Sequence, residues 1–263
     1  LTVPWGIRIY GIVAEDLTVN TDLIQYVQII GQNPPGSFGL DFNYGCGFAG
    51  TVTITDSPSS DGQIMFSNCT IAALVLSTPN GRYTRATLNN CSVASFTSDN
   101  SHCSLQATGP LMNCTDFSDG TLNYSNGILT GTITGGTITA TNVFWGSDQP
   151  TGGTITVNNL LGFAGFWFMI NTGTTWIIDG FKDNAAYNSI RIQTGASLEL
   201  YNSDMDVEIA NGGTLTTVNG TGLIEVANGG TLTTVNCTGS VTVDPGGTWN
   251  KTSSHNDHFL TFQ

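Results

Sequence analysis

Positive charge is scarce in this chain. Of 263 residues only six are Lys or Arg, against nineteen Asp or Glu, and charged residues make up 10%, giving a formal net charge of −13. Such a surface repels phosphate backbones and offers no basic stripe, which excludes nucleic acid and an anionic bilayer as partners. Long apolar runs are lacking too. The longest, residues 160–170 (LLGFAGFWFMI), falls short of the roughly 20 residues that span a bilayer, so it reads as core strand rather than a membrane-inserting segment. Helical periodicity is absent throughout, and no signal-peptide pattern stands at the start, where Leu1 in place of Met implies a processed or trimmed chain.

What is present is β-branched, small and repetitive. A hydrophobic fraction of 39% suffices for a sizeable core, while Thr, Ser, Asn and Gly carry the solubility, a balance that suits extracellular or virion-borne β proteins. Residues 207–215 (VEIANGGTL), 224–232 (IEVANGGTL) and 241–249 (VTVDPGGTW) are copies of one unit at a spacing of 17, with a weaker copy at 190–198 (IRIQTGASL). A short fixed period without helical pattern is the mark of a chain wound into stacked coils. The Gly-Gly-Thr triplet also occurs at Gly135 and Gly152, with degenerate copies at 171–176 and 194–198, so the coil varies in perimeter while its corner is kept. Glycine there permits a sharp turn, and the Thr-Ile or Thr-Leu that follows starts the next strand.

Upstream the marker is Asn-Cys-Thr/Ser, at Asn68, Asn90 and Asn113, with spacings of 22 and 23. These three, with Asn219 and Asn236 further on, are expected to stack as a ladder of side-chain amides bonded from rung to rung. Cys69, Cys91 and Cys114 would then stack beside them as buried thiols; the same triplets match a glycosylation acceptor, and the redox state of the six cysteines is open. Residues 51–249 are expected to form the solenoid, residues 1–50 an aromatic-rich N-terminal cap, and residues 250–263 a C-terminal cap or tail. At 17 to 23 residues per coil, the chain makes roughly a dozen turns.

The Gly-Gly-Thr corners, the Asn ladder and these coil lengths resemble the right-handed parallel β-helix proteins: phage tail spikes and fibres, bacterial adhesins and pectate-lyase-like enzymes. The resemblance covers about residues 51–249 and is one of architecture. It implies an all-β fold, a homotrimeric assembly and a polysaccharide or virion-protein partner.

The chemistry is less marked. The period stacks Arg191, Glu208, Glu225 and Thr242 in one column on the outer face, a surface ion pair followed by a like-charge contact. Candidates for the paired carboxyl groups of glycoside cleavage are Asp204 with Asp206, Asp179 with Asp183, and Glu208 with Glu225. No Ser/His/Asp arrangement, phosphate-cradling loop or Lys/Arg cluster of the polysaccharide-lyase kind occurs. His255 and His258 flank Asp257 and are the candidate ligands for a metal; no cofactor is implied. Trp145, in a Gly- and Pro-flanked loop, is the candidate for stacking on a sugar, while Trp167 and Trp176 read as core.

These features favour a non-enzymatic structural or receptor-binding module of a viral appendage or surface fibre, located at the virion surface or outside the cell and contacting surface glycans. A polysaccharide-cleaving enzyme is the alternative. An ice-binding solenoid is the third, on the Thr-x-Thr units at Thr132, Thr137 and Thr154, which are not expected to continue down the stack.

Overall fold

The computed structural model describes residues 12–13, 17–20, 26–30, 46–55, 63–78, 84–146, 148–165, 167–181, 189–252 and 260–262. These are all β, wound as a parallel β-solenoid of about nine turns. The expected dozen came from dividing the full length by the repeat, whereas segments such as 31–45 and 182–188 lie outside the described residues. Contacts divide the chain into two compact units, Leu1–Thr130 and Gly131–Gln263.

In the first unit, Ile12–Val13 and Leu17–Asn20 pair in parallel with Cys46–Thr55, and Tyr26–Ile30 pairs with Gln63–Ser67. Parallel pairing therefore reaches into the stretch before residue 50 that lacks the repeat. Cys46–Thr55 pairs onward with Cys69–Ser77 and that with the first half of Ser92–Thr108; Gln63–Ser67 pairs with Thr84–Asn89 and that with the second half. Alternation along each strand sends Phe48, Phe66, Leu74, Phe96 and Phe117 into the core.

The corner between the two arms of each coil is left-handed. Asn68 and Asn90 have φ of 54° and 53°, a region open to Asn because its short amide bonds locally, and the Asn90 amide donates to Asn68 Oδ1 at 2.8 Å. Cys69 and Cys91 follow, both buried, with the Cys69 N–H pointing at Cys91 Sγ at 3.4 Å. Asn113 and Cys114 depart from the expected columns. Met112 lies opposite Val93 and Cys114 opposite Phe96, so Asn113 is in mid-strand, its amide donating to the Ala94 carbonyl at 2.9 Å. The corner after Asn90 falls instead at Gly109, where any Cβ would overlap the Cys91 carbonyl, and a later one at Asn126. Coils here are shorter than the Asn-Cys spacing implied, and a like triplet fell out of register. Cys114, opposite Phe96 in register and fully buried, is pushed up to about 12 by burial.

In the second unit each 17-residue lap has two strands and two corners. The first face comprises Thr137–Trp145, Gly153–Phe163, Thr174–Asp179, Ser197–Tyr201, Thr214–Val218, Thr231–Val235 and Thr248–Lys251, paired in that order. The second face comprises Trp167–Ile170, Ser189–Ile192, Asp206–Ile209, Ile224–Val226, Val241–Val243 and Leu260–Phe262. One corner carries Asn202, Asn219 and Asn236, at φ of 52°, 56° and 55°. Here the Asn219 amide donates to Asn202 Oδ1 at 3.0 Å, and the Asn202 amide to Asp179 Oδ1 at 2.7 Å. Gly195, Gly212, Gly229 and Gly246 form the other corner, each with φ between 71° and 89°.

Two outcomes follow for stability. Asn219→Ala forces a Cβ-bearing residue without the donating side-chain amide into the left-handed region and should lower stability by about 1–2 kcal/mol, against less than about 1 kcal/mol for Asn219→Gly; paired urea titrations check the order. Burial raises the Cys114 thiol from its ordinary 9.0 to about 12, so the folded state holds that proton longer than the unfolded chain. Its contribution is complete below pH 9 and is lost as pH rises towards 12. The melting temperature of the parent chain should thus fall more steeply over that window than that of Cys114→Val.

Candidate functional site

On the second face, alternation turns Ile190, Ile192, Val207, Ile209, Ile224 and Val226 inward and sets two columns outward. One runs Met169, Arg191, Glu208, Glu225, Thr242; the other runs Trp167, Ser189, Asp206. Arg191 and Glu208 form an ion pair at 2.8 Å, half open to water and so worth about 0–1 kcal/mol. Glu225 stands next to Glu208 in register and has no ion pair among the described residues.

The neighbouring column contains a gap. Ser189 is small and lies between Trp167 and Asp206, leaving a shallow hollow of about 130 Å³ lined by Trp167, Ser189, Asp206, Val207, Glu208, Leu223 and Glu225. Trp167 is 49% exposed and Leu223 40%, two of the largest apolar groups left open to solvent in the unit. One Asp206 carboxylate oxygen accepts the Leu223 N–H at 2.7 Å, which ties the rim of the hollow to the next rung.

Two tryptophans exchange their expected roles. Trp145 is fully buried, its indole N–H donates to the Asp148 carbonyl at 3.0 Å, and its ring meets Trp176 and Phe168 at centroid distances of 4.7 and 6.4 Å. No face of it is open to a sugar. The polar end that marked a loop residue is satisfied by the backbone of that loop, and the ring turns inward. Trp167 is the exposed one. In Trp167–Ile170 the pattern is out, in, out, in, so Phe168 and Ile170 fill the core; a continuous apolar run hides which of its members alternate outward.

The remaining candidates separate. Asp179 is on the first face, at the corner, as the acceptor that terminates the Asn202–Asn219 amide chain. Asp204 and Asp206 both point outward on either side of buried Met205. Asp206, Glu208 and Glu225 come together at the hollow, but on an open face rather than in the enclosed cleft that paired catalytic carboxyl groups occupy. Asp183, His255, Asp257 and His258 lie outside the described residues. Among the described residues no group of three or more His, Cys, Asp and Glu is placed to hold a metal ion.

The first face presents hydroxyls. Thr137, Thr154, Thr175, Ser197, Thr214, Thr231 and Thr248 stand in one in-register row, longer than the Thr-x-Thr triplets indicated because Thr175 and Ser197 continue it. The parallel row Thr139, Thr156, Ile177, Glu199, Thr216, Thr233 is interrupted in the middle. A regular two-row hydroxyl lattice is therefore broken.

Compared with protein-family models, curated proteins and solved structures, the chain matches none. Its function has to be read from the geometry. The exposed indole and the carboxylates at the hollow together offer an apolar ring face beside hydrogen-bond acceptors.

The indoles differ in what their removal does. Trp176→Ala, which opens a cavity beside Trp145 and Phe168, should cost about 3–5 kcal/mol, whereas Trp167→Ala should cost less than about 1.5 kcal/mol; thermal melts of the two variants test the contrast.

Proposed function

We propose that this chain is a non-enzymatic structural and receptor-binding module of a viral appendage or surface fibre, working at the virion surface or outside the cell as a homotrimer that contacts cell-surface glycans. The observation that carries the reading is the half-exposed Trp167 at a hollow lined by polar acceptors on a regular sheet face. In-register pairing of Ser189–Ile192 with the strands on both its sides holds that face rigid, so little order has to be gained when a polymer lies along it. Sparse charge and a Thr-rich first face fit a surface that meets solvent and polysaccharide rather than nucleic acid. Cleavage receives less support, because the acids nearest one another stand in the open and Glu208 is engaged by Arg191.

Light scattering on the purified chain at micromolar concentration should give three times the chain mass. A glycan array should show binding that Trp167→Ala removes, and no new reducing ends should appear with any bound polymer. A clean monomer argues against the fibre, and turnover abolished by Glu225→Gln would replace binding by catalysis.

A further inference from the structure

We propose that the Trp167 hollow selects sugars carrying a protonated amine, so that its ligand is a polymer of amino hexoses with free amines. This rests on the glycan reading and narrows it. Carboxylates alone would mark only a solvated face. The difference here is an indole, 49% exposed, set beside them across a gap left by Ser189. An apolar sugar face stacks on such a ring, and an ammonium group held over the ring gains further from its negative face.

The charges of the lining do not balance. Asp206, Glu208 and Glu225 face one guanidinium, Arg191, which is already bonded to Glu208 at 2.8 Å. Glu208 and Glu225 are like charges directly opposite on neighbouring strands, an unfavourable pairing that a cation relieves. Asp206 spends one oxygen on the Leu223 N–H and keeps the other for a ligand. A uronate, sialylated or phosphorylated polymer would meet those acids and a chain charge of −13. A lysine-rich peptide would satisfy the acids but cover little of the indole with its narrow stem.

The test uses the purified chain at low salt and a pH at which the sugar amine is charged. Isothermal titration is run with a β-linked glucosamine hexamer, its fully N-acetylated counterpart, the glucose hexamer of the same linkage, and hexalysine. The free-amine sugar should bind about threefold to tenfold more tightly than either neutral sugar. Glu225→Gln should shrink that preference while neutral binding persists. Trp167→Ala should lose all the sugars while the melting temperature falls by no more than about 6 °C. Equal binding of the N-acetylated hexamer overturns amine selection and leaves the glycan reading standing. Hexalysine binding as tightly as the amino sugar reduces the site to a charged face and overturns the proposal. No binding of any sugar overturns both.

Discussion

The structure depends on backbone pairing between equivalent residues of successive coils. Because the pairing is parallel and in register, each side chain stands on its counterpart one lap away, and a choice made once becomes a column. The Gly corner shows how tightly this is kept: the Gly195, Gly212 and Gly229 amides donate to the carbonyls of Gly212, Gly229 and Gly246, each at 3.0 Å. Opposite, the Asn corner repeats the same left-handed backbone and adds a side-chain bond that always donates from the later coil to the earlier. The corners let every strand of a coil join a ladder, and the ladders leave few backbone groups to be satisfied by anything else.

Given such columns, much of the fold was legible in the sequence. Where the period held at 17, Arg191, Glu208, Glu225 and Thr242 could be stacked on paper as they stand in register, and Asn219 could be set on its corner. Legibility failed where the perimeter changed. Asn113 shares its triplet with Asn68 and Asn90, yet Gly109 takes the corner of its lap, and no local residue pattern distinguishes an Asn at a corner from one in a strand. The tryptophans failed for another reason. Within VFWGSD and FWFMI the sequence gives no phase, because every candidate for the inward position is apolar. Only the register with Ile190 and Ile192 decides that Phe168 goes in and Trp167 out.

One lap thus supplies two unlike surfaces. The first face repeats Thr, which is small, uncharged and compatible with strand geometry, so its outer row is continuous over seven rungs. On the second face the outward positions are free of that constraint and vary from rung to rung: Trp167, Ser189 and Asp206 in one column, Met169, Arg191 and Glu208 in the other. Relief on a flat sheet comes from such size differences between neighbours in a column. The hollow exists because Ser189 follows Trp167, not because the backbone bends.

The place of Trp167 is itself fixed from the core side. Its strand begins the second face, and among the described residues it has a paired neighbour on one flank only. An edge strand of this kind invites further pairing unless something bulky or charged stands on it. Phe168, the next residue, is held within 5.0 Å of Phe163, 4.8 Å of Trp176 and 6.4 Å of Trp145 between ring centroids. These rings fill coils whose in-register partners are 21 and 22 residues apart at Thr154, Thr175 and Ser197, wider than the 17-residue laps that follow. A wide coil needs large side chains to reach native packing density, and once Phe168 is committed to that interior, alternation leaves Trp167 no direction but outward. The exposed indole is therefore a consequence of how these wide coils are packed, and its orientation is as rigid as the aromatic cluster beneath it.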